Sequence, residues 1–513
     1  MTWAVPNADA VTLGEMDGEL LSVSPRDEAH IGDEFIRRGG TVFPPARVVC
    51  TKTRRPFGQE ESLTQELDDE LDRRPESGAM KLAKHAAGVL HMLLFDDEQK
   101  VIRSVVQGAK SAVKSVLSAT RGGNPESDDE GNGDEADDVK KTADRLNAIV
   151  EDAELDYVHV PRPNAAFPQH KATEESIAAM SWHPTLSLLA VAQQDGVVTF
   201  YDVATASWDS RVLEHAAQAN ITSIEWANYS GGVVAVACRA GILLWKLHCK
   251  NKKEDPTLLD IITHPSSKSF HQVTWNADGS MLAAFAKNTN AIYIVDAVFN
   301  RKTELLCPYK VASVNWSPTG EYLFVATERG VSLVWETLTW KSEIWDLATR
   351  SCGWSRDGRC LLVAARNKNL LYPYAFPGTP PTIDAQISSP PVDFAEKQVF
   401  SFDQSLSELV GGKIENIVWD PTGTRVAVTY RSSSPTSIDG NDFTGCLVAI
   451  FSVAWEPFLI FTRSGLLRGP PNAGLPRTLG FASSFEQGAL LSVGWSRGLI
   501  TFHPFYFQDR VAQ

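Results

Sequence analysis

The sequence predicts an all-β fold: a seven-bladed WD-repeat β-propeller behind an N-terminal extension that is partly helical and partly disordered. Three observations carry this. First, one pattern recurs from Ile177 onward: a short strand ending on an aromatic residue, a tight turn, and an apolar run. It is clearest in Val311–Trp335, where Ser317–Gly320 and Glu328–Gly330 separate three strands. Glycine permits positive φ and proline pre-sets φ, so both breaks have a mechanism. Second, the aromatic slot is filled by Trp182, Trp226, Trp275, Trp316, Trp354 and Trp419, and by Phe481 in a degenerate seventh unit. The Trp spacings run 44, 49, 41 and 38 residues, then 65 across a proline-rich insertion. Repeats of about 40–45 residues are the size of a four-stranded blade. Third, 19 residues after the first four slots come Tyr201, Trp245, Ile294 and Trp335, each apolar and near the end of a third strand. One such sheet cannot bury both faces. Radial packing of copies solves that and leaves only short, protected edges.

In chain order, residues 1–75 form an extension with two strand-like pieces, Val11–Leu13 and Leu20–Val23, and a charged stretch, Arg54–Arg74, read as solvated loop. Residues 76–153 read as a helical region. Val101, Ile102, Val105, Val106, Ala109 and Val113 recur at helical spacing, punctuated by Lys100, Arg103, Lys110 and Lys114. Two readings stay open for this stripe: a helix packed within the chain, or a basic amphipathic face for a partner or membrane surface. An insert at 122–138 interrupts it. Ser127–Asp138 holds seven acids and no Lys or Arg, and is expected to be disordered. The propeller is assigned to residues 154–507, with a short tail at 508–513.

Two insertions interrupt the repeats. Phe376–Gln398 is proline-rich and is expected to be a surface loop with no ladder hydrogen bonds to give. Arg431–Gly445 is polar and is expected to be a mobile loop in the sixth unit. Ser389 and Ser434, each followed by proline, are candidate phosphorylation sites. The six residues after Phe507 are too few for an outer strand on the seventh blade. An N-terminal segment, either Val11–Val23 or Leu155–Val160, is expected to supply it, because an unpaired outer edge is a liability.

Composition and motifs point away from chemistry. The formal charge of −15 argues against a nucleic-acid-binding role, which needs clustered Lys and Arg. Seven scattered cysteines (50, 238, 249, 307, 352, 360, 446) form no C-x-x-C pair and suggest reduced thiols. Met1–Pro6 lacks the basic start of a signal peptide, and no apolar run reads as a membrane span. Walker-type loops, dinucleotide fingerprints, nucleophile elbows and zinc-protease motifs are missing. His183, His264 and His503, each followed by proline, read as turn residues rather than ligands, since metal sites need clustered donors. Asp195, Asp278 and Asp357, each followed by glycine, fall in repeat turns. No catalytic residue, metal site or cofactor is expected.

Several stretches go beyond generic repeats. Gly488–Gly498 (GALLSVGWSRG), Val234–Trp245, Trp316–Trp340, Cys352–Arg359, Trp419–Val428 and, outside the repeats, Val11–Leu20 (VTLGEMDGEL) resemble the aladin family of WD-repeat nucleoporins. The resemblance covers nearly all of Ala179–Phe507. It implies a non-enzymatic protein–protein scaffold at the nuclear pore complex of the nuclear envelope, supporting protein import and pore or spindle organisation. Its partners would be a transmembrane nucleoporin and other pore components, with membrane association indirect and no direct nucleic acid. The acidic run and the proline-rich insertion depart from the family pattern. An alternative comes from Trp208–Arg211, a W-D-x-R string similar to that of substrate receptors of a cullin-type ubiquitin ligase, although Tyr201-Asp202 holds the register that string would need.

Overall fold

The computed structural model describes residues 5–7, 10–23, 35–48 and 177–507, the last with gaps at 230, 250–251, 264–268, 298, 300, 402–406, 432–446, 457–458 and 472. Lys100, Arg103, Lys110, Lys114 and the rest of 76–153 lie outside the described residues, as do Leu155–Val160, His264, Ser434 and nearly all of the Arg431–Gly445 insertion.

Four strands build the first blade: Ile177–Trp182, Leu188–Gln193, Val198–Asp202 and Ser207–Leu213, antiparallel and paired in sequence order. Residues 223–262, 270–306, 311–345 and 413–468 repeat this order. The fifth blade contributes Thr349–Trp354, Cys360–Ala365 and Leu370–Ala375, and the seventh Pro476–Phe481, Gly488–Trp495 and Leu499–Tyr506. The first strand of each blade abuts those of both neighbours, and Pro476–Phe481 returns to Ile177–Trp182. The ring therefore closes at seven blades.

Apolar packing sits between the blades rather than in one central core. Seven buried layers each join two neighbours. Second strands such as Leu188–Gln193 and Tyr322–Thr327 are buried at every position. They are covered on both faces, which is why they read as continuous apolar runs instead of alternating ones. The layer that closes the ring packs Trp182, Leu189 and Tyr201 of the first blade against Leu490, Ile500 and Phe502 of the seventh.

The 19-residue marker is a cross-strand row in three blades: Trp182–Leu189–Tyr201, Trp226–Val234–Trp245 and Trp316–Leu323–Trp335 face one another in register. In the third blade the row is Trp275–Leu282–Val295, and Ile294 points into the opposite layer. There the spacing survives while the face does not.

Two expectations need correction. Phe376–Gln398 does give ladder bonds: Gln386–Ile387 and Val392–Asp393 both pair with Leu370–Ala375 and stand in for the fifth blade's outer strand. Its prolines fall at 377, 380, 381, 390 and 391, outside both pairs, so the needed N–H groups remain. Ser389 is half-buried there, its hydroxyl enclosed without a partner among the described residues. His503 is not a turn residue. It lies inside Leu499–Tyr506 and is 2% exposed.

Candidate functional site

The aromatic slots mark seams between blades. Trp226 Nε1 donates to the Ser181 carbonyl (3.1 Å), Trp275 Nε1 to the Glu225 carbonyl (3.2 Å) and Trp419 Nε1 to the Gly353 carbonyl (3.1 Å). Trp182 Nε1 donates to the Gly480 carbonyl (3.2 Å) and to Ser492 Oγ (2.9 Å). Every backbone acceptor immediately precedes the aromatic slot of the previous blade. First strands of neighbouring blades share no ladder, so the indole supplies a bond between them that their backbones do not make. Trp316 and Trp354 follow the packing but not the bond. Their indole nitrogens are buried without an acceptor among the described residues, Trp316 against Trp340 and Trp354 against Tyr322 and Phe376. The Phe481 side chain has no N–H to give and packs at 5.9 Å from the Phe505 ring.

Polar side chains on the first strands add to the seams. Ser181 Oγ and Glu225 Oε1 accept the backbone N–H groups of Trp226 and Trp275 (both 3.3 Å). The Gln272 amide donates to the Val314 carbonyl at 2.9 Å and accepts from its N–H at 3.1 Å. The residue after the slot has a separate task. Asn276, Ser317, Ser355 and Asp420 each accept the N–H five residues on, at 2.6–3.0 Å, which fixes the tight turn. His183 occupies the same place: its Nδ1 accepts from Thr185 N and Leu186 N, both at 3.1 Å. Burial pushes it down to about 4, so it stays neutral. Sequence reading finds these turns but not the capping rule; the polar residue after five of the seven slots is the signal that could have revealed it, Ala227 and Ala482 being the exceptions.

The N-terminal segment completes the seventh blade. Val11–Met16 lies on the outer edge of Leu499–Tyr506, pairing in parallel at Glu15–Phe505 and Met16–Tyr506, and Glu19–Val23 folds back on it. Asp17 and Gly18 carry φ of 54° and 84°, the positive pair a two-residue hairpin turn requires. Ala46–Arg47 takes the other end of the same edge. Of the two candidate segments, Val11–Val23 is thus the one seen on the seventh blade. Its side chains explain the VTLGEMDGEL string. Thr12 Oγ1 accepts from Arg468 N (3.0 Å), and the buried Glu15 carboxylate binds the Arg425 guanidinium, both in the sixth blade. A Cβ on Gly14 would stand 2.4 Å from the Pro504 carbonyl, and one on Gly465 would stand 2.9 Å from Leu20. Upstream, Val5 bridges Ser401 and enters the layer between the fifth and sixth blades. Arg468, 2% exposed, donates to the Pro6 carbonyl (3.1 Å) and pairs with Glu408.

Potential metal-ligating groups are not gathered among the described residues. Among the described residues no set of three or more His, Cys, Asp or Glu side chains could hold a metal, and no helix is long and apolar enough to cross a membrane. The described cysteines, 238, 249, 307, 352 and 360, are free thiols. Burial pushes Cys307 up to about 11 and Cys352 and Cys360 up to about 12, which disfavours the nucleophilic thiolate. The W-D-x-R string sits on the first blade's outer strand. Arg211 is buried, held by both Asp209 oxygens (3.1 and 2.7 Å) and by the His248 carbonyl (2.9 Å). It presents no guanidinium to a partner.

Seven blades, seams tied by indole N–H groups and a seventh blade completed by an N-terminal strand define a WD-type propeller built to hold its shape. The family model for the aladin seven-bladed propeller matches residues 165–506, and the chain belongs to that family. The Arabidopsis thaliana protein Aladin is 26% identical over 366 residues, which span 66% of this chain and 78% of that protein. Among solved structures, the β-propeller domain of Myceliophteria thermophila Cps50 (Swd1) is similar with a TM-score of 0.45 and 15% identity, over 64% of this chain and 96% of that one.

Proposed function

We propose that this chain is a non-catalytic structural component of the nuclear pore complex. It acts as a protein–protein scaffold that supports nucleocytoplasmic transport and pore or spindle organisation, and a membrane-spanning nucleoporin holds it at the nuclear envelope. The observation that carries this reading is the aladin-family match through the whole ring, residues 165–506. The architecture suits it: a rigid ring presents loops on two faces, and loops on a rigid frame are where binding sits. Fold alone would not carry it, since one fold serves many functions.

The test is affinity capture of the tagged full chain from nuclear-envelope extract, with partners identified by mass spectrometry. A second chain, with residues 51–168 replaced by a Gly/Ser linker, keeps the closing strand and asks what that region adds. Enrichment of a membrane-spanning nucleoporin on the full chain is expected. Its absence from both captures would contradict the proposal.

A further inference from the structure

The two faces of the ring are built from different turns. Strands alternate in direction within each blade, so the turn joining the second and third strands opens on the same face as the link to the next blade. The remaining two turns open on the opposite face. On the first of these faces, an arc from the third to the seventh blade carries exposed cations: Lys287, Lys310, Arg329, Lys368, Lys413 and Arg477. Lys287, Arg329 and Lys368 lie in second-to-third-strand turns, Lys310 in a link, and Lys413 and Arg477 where first strands begin.

Four of these six cations, Lys287, Lys310, Lys368 and Lys413, have no counter-charge paired with them among the described residues. Glu415 is already shared between Arg350 (3.2 Å) and Arg431 (3.1 Å), so that group remains net positive. Asp393 is likewise taken, by Lys397 at 3.7 Å. Exposed Glu328 and Asp346 are interspersed with the cations. The frame beneath is fixed, because Arg366 Nη1 donates to the Glu328 carbonyl (2.8 Å) and joins the turns of neighbouring blades. Arg329 lies over the Tyr309 ring at 5.9 Å. This arc belongs to a chain whose formal charge is −15, so it stands against the overall balance.

We propose that this arc is a docking surface for an acidic polypeptide segment. Spaced cations on a rigid face complement a flexible chain that carries its counter-charges locally, and such complementarity governs specificity and association rate. A nucleic acid fits less well, because it needs denser phosphate neutralisation and would meet the field of a strongly acidic chain.

The test is fluorescence anisotropy of a labelled peptide of alternating Glu and Ser, titrated with the full chain at low and at raised salt. A Gln/Ser peptide and poly(U) RNA serve as comparators. The variant Lys368→Glu/Lys413→Glu/Arg477→Glu is expected to bind the acidic peptide at least about tenfold more weakly. Lys253→Glu/Lys341→Glu, on the opposite face, is expected to bind as the wild type does. If the triple variant melts early, Lys287→Glu/Lys310→Glu replaces it with the same expectation. Failure of the wild type to bind the acidic peptide, equal binding by the arc variants, or tighter binding of poly(U) would each overturn the proposal.

Discussion

The Glu15 carboxylate is fully buried and accepts from the Arg425 guanidinium 410 residues further along the chain. Glu15 stands on the strand that closes the seventh blade, and Arg425 opens the second strand of the sixth. Arg425 also lies over the Phe507 ring at 5.1 Å, so one guanidinium gathers the closing strand, the end of the last blade and a neighbouring blade. The ends of the propeller are held by an ion pair as well as by ladder bonds.

Removing one partner of that pair should be costly, because it leaves a largely buried charge without its counter-charge. Glu15→Ala is expected to destabilise the chain by about 3 kcal/mol. Glu15→Gln/Arg425→Met should lose less than Glu15→Ala alone, since neither partner is left charged. Denaturant unfolding of the three proteins checks this.

Gly14 allows the closing strand to reach the Pro504 carbonyl, so a methyl group there forces the strands apart. Gly14→Ala is expected to free Val11–Val23 while the other six blades stay folded. Hydrogen exchange should then show faster amides in Leu499–Tyr506 and unchanged ones in Val311–Trp345.

The seams predict unequal responses to the same substitution. Trp226→Phe deletes a bond to the Ser181 carbonyl and leaves that acceptor unmatched, a loss of about 1 kcal/mol beyond the change in volume. Trp316→Phe removes an indole nitrogen that has no acceptor among the described residues, and should cost less. Paired thermal melts distinguish the two.

Acid should loosen the last blade. Burial pushes His503 from 6.5 down to about 4, so the folded chain keeps it neutral where the unfolded chain would protonate it. Its stabilising contribution is complete above about 6.5 and is lost as pH falls toward 4, up to about 3 kcal/mol. Unfolding free energies measured across that window should fall with acidity, and His503→Asn should flatten the slope.

The repeats are readable in the sequence for physical reasons. A strand end, a tight turn and a buried run are local, and each needs particular residue types, so Trp316, Ser317 and Gly320 announce their places. The closing strand narrows to two segments because an open edge has to be covered. Other features are not readable. Gln386–Ile387 and Val392–Asp393 are two residues each, too short for any periodicity. The Arg468–Glu408 and Glu15–Arg425 pairs join distant segments through side chains and leave no local pattern. The unmatched nitrogens of Trp316 and Trp354 look the same in sequence as the bonded ones of Trp226 and Trp275.

The most direct measurement is fluorescence localisation of the tagged full chain in living cells, alongside Glu15→Ala, which weakens the hold on the strand completing the seventh blade. The scaffold reading predicts a continuous nuclear-rim signal for the wild type and a weaker rim with more diffuse fluorescence for the variant. A wild-type chain spread evenly through the cell would contradict it.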